Sequence, residues 1–94
     1  MQASSETAVV DRQVTLPADV DLHARPAAEF VRTAMRFSSQ LSVVAGEREA
    51  DAKSLLSILA LGLKRGTTLE LRAAGDDAVS ALDALGATIA GLRE

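Results

Sequence analysis

The sequence predicts a two-layer α+β domain in which a four-stranded sheet carries its helices on one face. Three short segments alternate apolar and polar residues with a period of two, which is typical of strands that bury one face, and a short polar segment after a predicted turn adds a fourth strand. Three other segments repeat apolar residues at helical spacing, so each predicts a helix with one buried stripe. Elements that each bury one side form two packed layers, and their order along the chain is βαββαβα.

The first strand and the first helix are joined by a short loop. Apolar and polar residues alternate over 10–16, and Pro17 ends this strand. A loop over 18–22 leads to His23, after which apolar residues recur three and four positions apart. We therefore expect a helix that begins at or just after His23 and ends near Arg36.

A hairpin and a short helix follow the first helix. Residues 41–45 alternate as a second strand, a Gly-Glu pair predicts a turn, and the polar segment 48–52 predicts a third strand. Ser54 then precedes an apolar run over 55–61 that is closed by Gly62. Serine favours the N-cap of a helix and glycine favours its C-terminal end, so this run predicts a short helix.

The chain ends with a fourth strand and a third helix. Residues 69–73 alternate apolar and polar side chains after a turn at 64–66. The segment 75–77, Gly-Asp-Asp, opens the last helix. The predicted buried stripe of this helix consists of Val79, Leu82, Leu85 or Gly86, Ile89 and Leu92.

Composition excludes several classes of function. The chain has 94 residues, a formal charge of −3, two aromatic side chains and scattered basic residues, so it lacks a footprint for nucleic acid. With one histidine and no cysteine, we expect neither a metal site nor a disulfide. No apolar run approaches the roughly 20 residues that span a bilayer, so we expect no membrane insertion. Residues 1–8 predict a flexible lead-in without a signal peptide, before one domain over 9–94, and the expected location is the cytoplasm.

The single histidine occupies a position that suits phosphoryl chemistry. His23 precedes a helix whose first backbone amides, those of Ala24 and Arg25, lack intrahelical partners. These amides and the helix macrodipole form an anion site, and the Arg25 guanidinium adds a planar donor fork. A neutral imidazole nitrogen is a nucleophile near neutral pH, so the pattern predicts a histidine that carries a phosphoryl group. The alternative is an interaction module in which His23 has no chemical role.

Two separated motifs resemble the HPr family, the histidine-containing phosphocarriers of the bacterial sugar phosphotransferase system. The segment 22–28, LHARPAA, is similar to the active-site signature of the family. The segment 52–63, AKSLLSILALGL, is similar to its second signature. The resemblance extends from about Val10 to the C-terminus. It implies an open-faced β-sandwich, with a four-stranded antiparallel sheet and three helices on one face.

The resemblance also implies roles for individual residues. His23 corresponds to the phosphoacceptor, Arg25 to the arginine that assists it, and Ser54 to a serine that a regulatory kinase phosphorylates in some bacteria. The protein would then be a stoichiometric carrier with a transient phosphohistidine rather than an enzyme, and it would need no cofactor. Partner docking is implied for Ala28, Leu55, Leu56 and Leu59, and we expect Leu55, Leu56 or Leu59 to stay exposed beside His23.

The resemblance further implies the partners. Enzyme I, charged by phosphoenolpyruvate, would phosphorylate His23, and the A component of a sugar permease would receive the phosphoryl group. A Ser-directed HPr kinase/phosphorylase would act on Ser54. We expect a monomer, since a shuttle must expose one face to successive partners. The alternative is a regulatory paralogue of the nitrogen-type or dihydroxyacetone-kinase branch, or one that signals through phosphorylated Ser54.

Three positions depart from the family pattern. Asp21 stands in place of the usual glycine, Val20 in place of a polar residue, and Met35 where some members carry a lysine that helps docking. Asp21 brings a negative charge close to the incoming phosphate, so we expect it to weaken the phosphorylated form. The sequence leaves open which branch and which permease the chain serves.

Overall fold

The computed structural model describes residues 9–93, which form four strands and three helices in the predicted order. The predicted flexible lead-in over 1–8 lies outside the described residues. The elements are β1 (Val9–Thr15), α1 (Ala24–Ala34), β2 (Gln40–Ala45), β3 (Arg48–Asp51), α2 (Leu55–Leu61), β4 (Thr68–Ala74) and α3 (Ala78–Ala90).

The four strands form one antiparallel sheet in the order β1-β4-β2-β3. β4 lies between β1 and β2, so that Leu71 is opposite Arg12 on one side and Val43 on the other. In β4 the alternate residues Leu69, Leu71 and Ala73 are buried, whereas the residues between them are more exposed. One face of the sheet therefore packs against the helices and the other is open, which confirms the predicted α+β open-faced sandwich.

The core between the sheet and the helices is mainly aliphatic. Phe30 of α1 is the largest fully buried side chain, and Ile58 of α2 is completely buried. α3 packs on β1, β4 and α1, whereas α2 packs on β3 and α1. α1 therefore lies in the middle of the helical layer, with one buried stripe and both helix ends near the surface.

The buried stripe of α3 differs from the predicted one at both ends: Leu92 is buried but lies beyond the helix, which ends at Ala90, and the first position also differs. Val79 is 56% exposed, so its predicted place in the stripe was wrong. The helix carries more apolar residues than one face can bury, and periodicity alone therefore leaves its rotation about its axis undetermined. Small alanines occupy the buried side near its N-terminus and turn Val79 to solvent. The buried residues of α3 are Ala78, Ala81, Leu82, Leu85 and Ile89.

Three element ends fall short of the predicted boundaries, the first being that of β1, which ends at Thr15 rather than at residue 16. α1 ends at Ala34 rather than near Arg36, and β3 ends at Asp51 rather than at residue 52. After α1 the Arg36 N–H donates to the Thr33 carbonyl, and the Phe37 N–H donates to the carbonyl of Ala34. These i→i+3 hydrogen bonds tighten the chain and end the α-helix.

A hydrogen-bonded cluster joins the start of β2 to the start of α3. The Asp77 carboxylate accepts the backbone N–H groups of Ser38 and Ser39, each at 2.9 Å, and also the Ser39 hydroxyl. The Ser39 hydroxyl first, and then the Ser38 N–H, lower the pKa of Asp77 to about 2. Gly75 approaches Ser39 so closely that a Cβ would lie 2.8 Å from the Ser39 Cα, and its φ of +148° also favours glycine.

The Asp77 cluster predicts a loss of stability in acid. Because the pKa of Asp77 is lower in the folded chain than in the unfolded chain, its contribution is complete above the unfolded value. That contribution is lost as the pH falls from about 4 to about 2. Urea denaturation across this range should give a falling free energy of unfolding for the wild type and a flatter profile for Asp77→Asn. Asp76→Asn, at the exposed neighbouring carboxylate, is the control, and equal slopes for wild type and Asp77→Asn would contradict the prediction.

Candidate functional site

His23 is the N-cap residue of α1, in agreement with its predicted position at the start of the helix. Its backbone is extended, with φ −77° and ψ −173°, and its side chain makes no capping hydrogen bond. The His23 carbonyl accepts the Ala27 N–H at 2.9 Å, which is the first hydrogen bond of the helix. The imidazole side chain is 68% exposed and is therefore accessible to a reaction partner.

Two backbone amides at this helix start are available to an anion. The N–H groups of Ala24 and Arg25 precede the first intrahelical bond, and Pro26 has no N–H. The first turn contains no acidic residue that would repel an anion. Within residues 9–93, the exposed Arg25 side chain has no hydrogen bond or ion pair. An imidazole, two amides and a guanidinium thus lie on three consecutive residues at the surface.

The Asp21 carboxylate is held by Arg65 from the turn before β4. Asp21 Oδ1 accepts the Arg65 backbone N–H at 2.7 Å and Nε–H at 3.1 Å, and Oδ2 accepts Nη2–H at 3.1 Å. The side-chain hydrogen bonds first, and then the backbone one, hold the pKa of Asp21 well below its usual range. Local sequence patterns do not predict this partner, because it lies 44 residues away. That Asp21 weakens the phosphorylated form stays a prediction.

The pairing of Asp21 with Arg65 could have been found from the strands. Thr15 at the end of β1 pairs with Thr68 at the start of β4. The segments beyond these two residues must therefore lie side by side, and each carries one charge of the pair. The contact between Asp21 and Arg65 becomes predictable once β1 is known to pair with β4. Local periodicity, however, does not show which strands pair.

Backbone hydrogen bonds also hold the loop before His23 to the segment after α2. The Gly66 N–H donates to the Pro17 carbonyl at 3.1 Å, and the Leu22 N–H donates to the Leu63 carbonyl at 3.0 Å. Val20, which departs from the family pattern, is completely buried. This apolar side chain anchors the loop in the core, so the departure at position 20 has a structural reason.

Ser54 caps α2, as the sequence predicts. Its hydroxyl oxygen accepts the Ser57 N–H at 3.2 Å, and at the other end Gly62 adopts the left-handed conformation with φ +61°. Lys53 Nζ, just before the cap, donates to the Phe37 carbonyl at 2.7 Å, beyond the end of α1. Because the far end of α2 leads to Leu63 beside Leu22, the two helices run antiparallel.

His23 and Ser54 consequently lie near opposite ends of α1. The 11 residues of this helix span about 16 Å. The structure therefore does not bring the two predicted phosphorylation positions into one cluster. A single partner that contacts both must cover the length of the helix pair.

The four predicted docking residues differ in their exposure. Leu56 is 81% exposed and Leu55 is 36% exposed, whereas Leu59 and Ala28 are half-buried. Leu55 and Leu56 form the first turn of α2 at the Ser54 end, so their predicted place beside His23 was wrong, because α2 runs antiparallel to α1. Met35, at the C-cap of α1, is 64% exposed and adds apolar surface at the same end of the helix pair. Exposed apolar side chains that cluster in this way are typical of interaction surfaces, and the docking role stays a prediction.

Comparison with known proteins identifies the family. A family model described as the PTS HPr component phosphorylation site matches residues 10–91. The chain belongs to the HPr family. The HPr phosphocarrier protein of Haemophilus influenzae is 42% identical over 78 residues, which cover 83% of this chain and 92% of the relative. The phosphocarrier protein NPr of Shewanella violacea is 39% identical over 80 residues, which cover 85% and 88%.

A solved HPr structure agrees with this assignment. The crystal structure of an HPr from Thermoanaerobacter tengcongensis has a TM-score of 0.82 and 40% identity, and the match covers 86% of this chain and 91% of that chain. The protein is thus a phosphocarrier of the phosphotransferase system at the level of its family. The HPr and NPr relatives match almost equally well, so similarity does not separate these branches.

Two further properties of the HPr chain concern residues 9–93. In this range no three or more histidine, cysteine, aspartate or glutamate side chains are grouped so that they could hold a metal ion. None of the helices described is long and apolar enough to cross a membrane.

Removing the Ser54 hydroxyl should destabilise the HPr domain. Ser54→Ala leaves the Ser57 N–H without its capping acceptor, and we expect a loss of about 1 kcal/mol. Ser57→Ala in the same helix keeps that N–H and its acceptor, so its effect should stay within about 0.5 kcal/mol. Urea denaturation of both variants measures the difference, and equal free energies of unfolding would mean that the cap contributes nothing.

Proposed function

We propose that this HPr-family protein is a stoichiometric phosphocarrier that accepts a phosphoryl group on His23. Enzyme I, charged by phosphoenolpyruvate, is the donor, and the A component of a sugar permease is the acceptor. The observation that carries the proposal is the exposed imidazole at the N-cap of α1, next to two available amides and the Arg25 guanidinium. The family match supports the phosphocarrier class.

The proposed transfer exchanges one nitrogen–phosphorus bond for another. A ring-nitrogen lone pair of His23 attacks the phosphorus that is carried on a histidine of the donor. As the new N–P bond forms, the old one breaks and its electron pair returns to the donor ring. No water, nucleotide or oxidant enters the balance, so the reaction needs no cofactor. The carrier is converted to its phosphorylated form by one partner and back by the next, one phosphoryl group per molecule, so it is a substrate of its partners and not an enzyme.

The residues after His23 supply charge stabilisation. Phosphoryl transfer depends mostly on positioning and on electrostatic stabilisation of the phosphoryl oxygens. The amides of Ala24 and Arg25 lie at the positive end of the α1 dipole, and the Arg25 guanidinium is a bidentate donor. Because the site lies at the surface, the partner completes it and excludes water from it.

Docking and regulation are assigned to the same helical layer. We infer that partners bind the exposed surface of Leu55, Leu56 and Met35, with Leu59 and Ala28 at its more buried edge. Phosphorylation of Ser54 by a Ser-directed kinase would add roughly two negative charges beside this apolar surface and would oppose docking.

A nitrogen-type regulatory carrier is the second candidate. The similarity to NPr at 39% identity, against 42% for HPr, favours it almost as much as the sugar branch. The same His23 chemistry serves both functions, so the partner decides between them. Incubation with enzyme I of each branch separates the candidates, since phosphorylation by the nitrogen-type enzyme alone would exclude the sugar-branch assignment.

His23→Ala should abolish phosphorylation without unfolding the domain. The side chain is exposed and makes no capping bond, so its removal leaves the core intact. Intact-mass spectrometry with enzyme I and phosphoenolpyruvate should give an added phosphoryl mass that is lost in acid for the wild type only. Ser54→Ala is the control that must still be phosphorylated. An acid-labile phosphoryl group on His23→Ala would exclude His23 as the acceptor.

Arg25→Ala should slow the transfer far more than it destabilises the fold. Hydrogen bonds to a charged group contribute about 1.5–3 kcal/mol, so the rate should fall roughly ten- to a hundredfold. Arg32→Ala, at an exposed position two turns further along α1, removes the same charge away from His23 and should leave the rate within about twofold. Rapid-quench transfer from phosphorylated enzyme I measures both rates, and equal rates for the two variants would exclude the phosphate clamp.

A further inference from the structure

The Asp21 carboxylate lies beside the phosphoacceptor as well as beside Arg65. Its Oδ2 is 3.7 Å from His23 Nε2, and its backbone carbonyl accepts the His23 N–H at 2.9 Å. The Asp21 side chain is only 13% exposed, whereas the imidazole is 68% exposed. A nearly buried anion thus faces one specific nitrogen of a solvent-accessible ring.

Arg65 restricts the place of this anion. Three N–H groups of Arg65 bind both carboxylate oxygens, and the backbone bond from Leu22 to Leu63 fixes the neighbouring residue. The carboxylate therefore cannot follow the ring, and the ring must adjust to it. The same hydrogen bonds keep Asp21 ionised, since they lower its pKa well below the usual range.

A fixed carboxylate at Nε2 has a direct consequence for the imidazole. In a neutral imidazole one nitrogen carries the proton and the other carries the lone pair, and the partner of one nitrogen decides which. The 3.7 Å separation is a charge contact and not a hydrogen bond, and the negative carboxylate favours the proton on the nitrogen that it faces. The lone pair then lies on Nδ1.

We propose that Asp21, fixed by Arg65, is a positioning residue that orients the His23 ring and holds its proton on Nε2 during phosphoryl transfer. This inference rests on the proposed phosphocarrier function. In the step, the Nδ1 lone pair forms the N–P bond and the Nε2 proton stays in place. The positive charge that the ring gains lies opposite the Asp21 carboxylate, and the donor ring recovers the electron pair of the broken bond.

Asp21 stabilises the phosphorylated ring in this way, although its charge alone would repel the phosphate. Repulsion acts between the carboxylate and the phosphoryl oxygens, whereas attraction acts between the carboxylate and the phosphorylated ring. Arg65 offsets the repulsive part, because its guanidinium binds the same carboxylate. The pair therefore provides orientation without leaving an uncompensated negative charge in the site.

The test is nitrogen-15 NMR of the imidazole, followed by the transfer rate. The chain has one histidine, so its spectrum contains one imidazole. In the neutral form of the ring, the wild type should carry its proton on Nε2. Asp21→Asn should increase the population with the proton on Nδ1 and slow transfer roughly two- to fivefold, the size expected of one partly exposed charge contact. Asp19→Asn, in the same loop but exposed, is the matched control and should change neither quantity.

Each outcome separates this inference from the proposed function. A wild type with its proton on Nδ1, or Asp21→Asn with unchanged tautomers and rate, would overturn the positioning role even though His23 is phosphorylated. A wild type that gains no phosphoryl group would overturn the proposed function, while the tautomer measurement would still report on Asp21. Asp21→Ala removes the same carboxylate and should shift the tautomers in the same direction, so it replaces Asp21→Asn if that variant does not fold.

Discussion

The position of His23 depends on the hydrogen bonds that join residues 16–22 to residues 63–67. They continue the pairing of β1 with β4 beyond the strands, because the Leu16 N–H donates to the Thr67 carbonyl at 2.9 Å. The Gly66 and Leu22 amides extend the same connection toward the start of α1. The loop before His23 is therefore an ordered extension of the sheet. A helix start that is held in this way presents its first amides and its N-cap side chain in one orientation.

This constraint explains how an exposed site can also be well defined. The imidazole and the Arg25 side chain lie in solvent, so they do not pack into the core. The positions of these two side chains are set by the backbone that carries them. The buried side chains of Val20 and Leu22 anchor this backbone in the core. A carrier with two successive partners requires an exposed ring on a fixed backbone. The ring must be accessible, and both partners must be able to approach it from the same direction.

The helical layer links the site to the surface proposed for docking. α2 lies antiparallel to α1, with Lys53 bound to the carbonyl of Phe37 at one end and Leu63 beside Leu22 at the other. A partner that docks on the exposed leucines thus contacts a helix whose far end supports the loop before His23. Ser54 lies at the docking end, about one helix length from the imidazole, so phosphorylation there would act on partner binding rather than on the ring chemistry.

The sequence by itself determined the element order, the helix start at His23, the cap at Ser54 and the aliphatic character of the core. Each of these depends on residues that are neighbours in the chain, since caps, turns and periodicity act over a few positions. Only the tertiary structure decided that Arg65 holds Asp21, that Asp77 joins Ser38 and Ser39, and that α3 turns Val79 to solvent. Those contacts join residues about 40 positions apart or depend on the rotation of one helix against the sheet. They follow from strand pairing and packing, which local residue patterns do not specify.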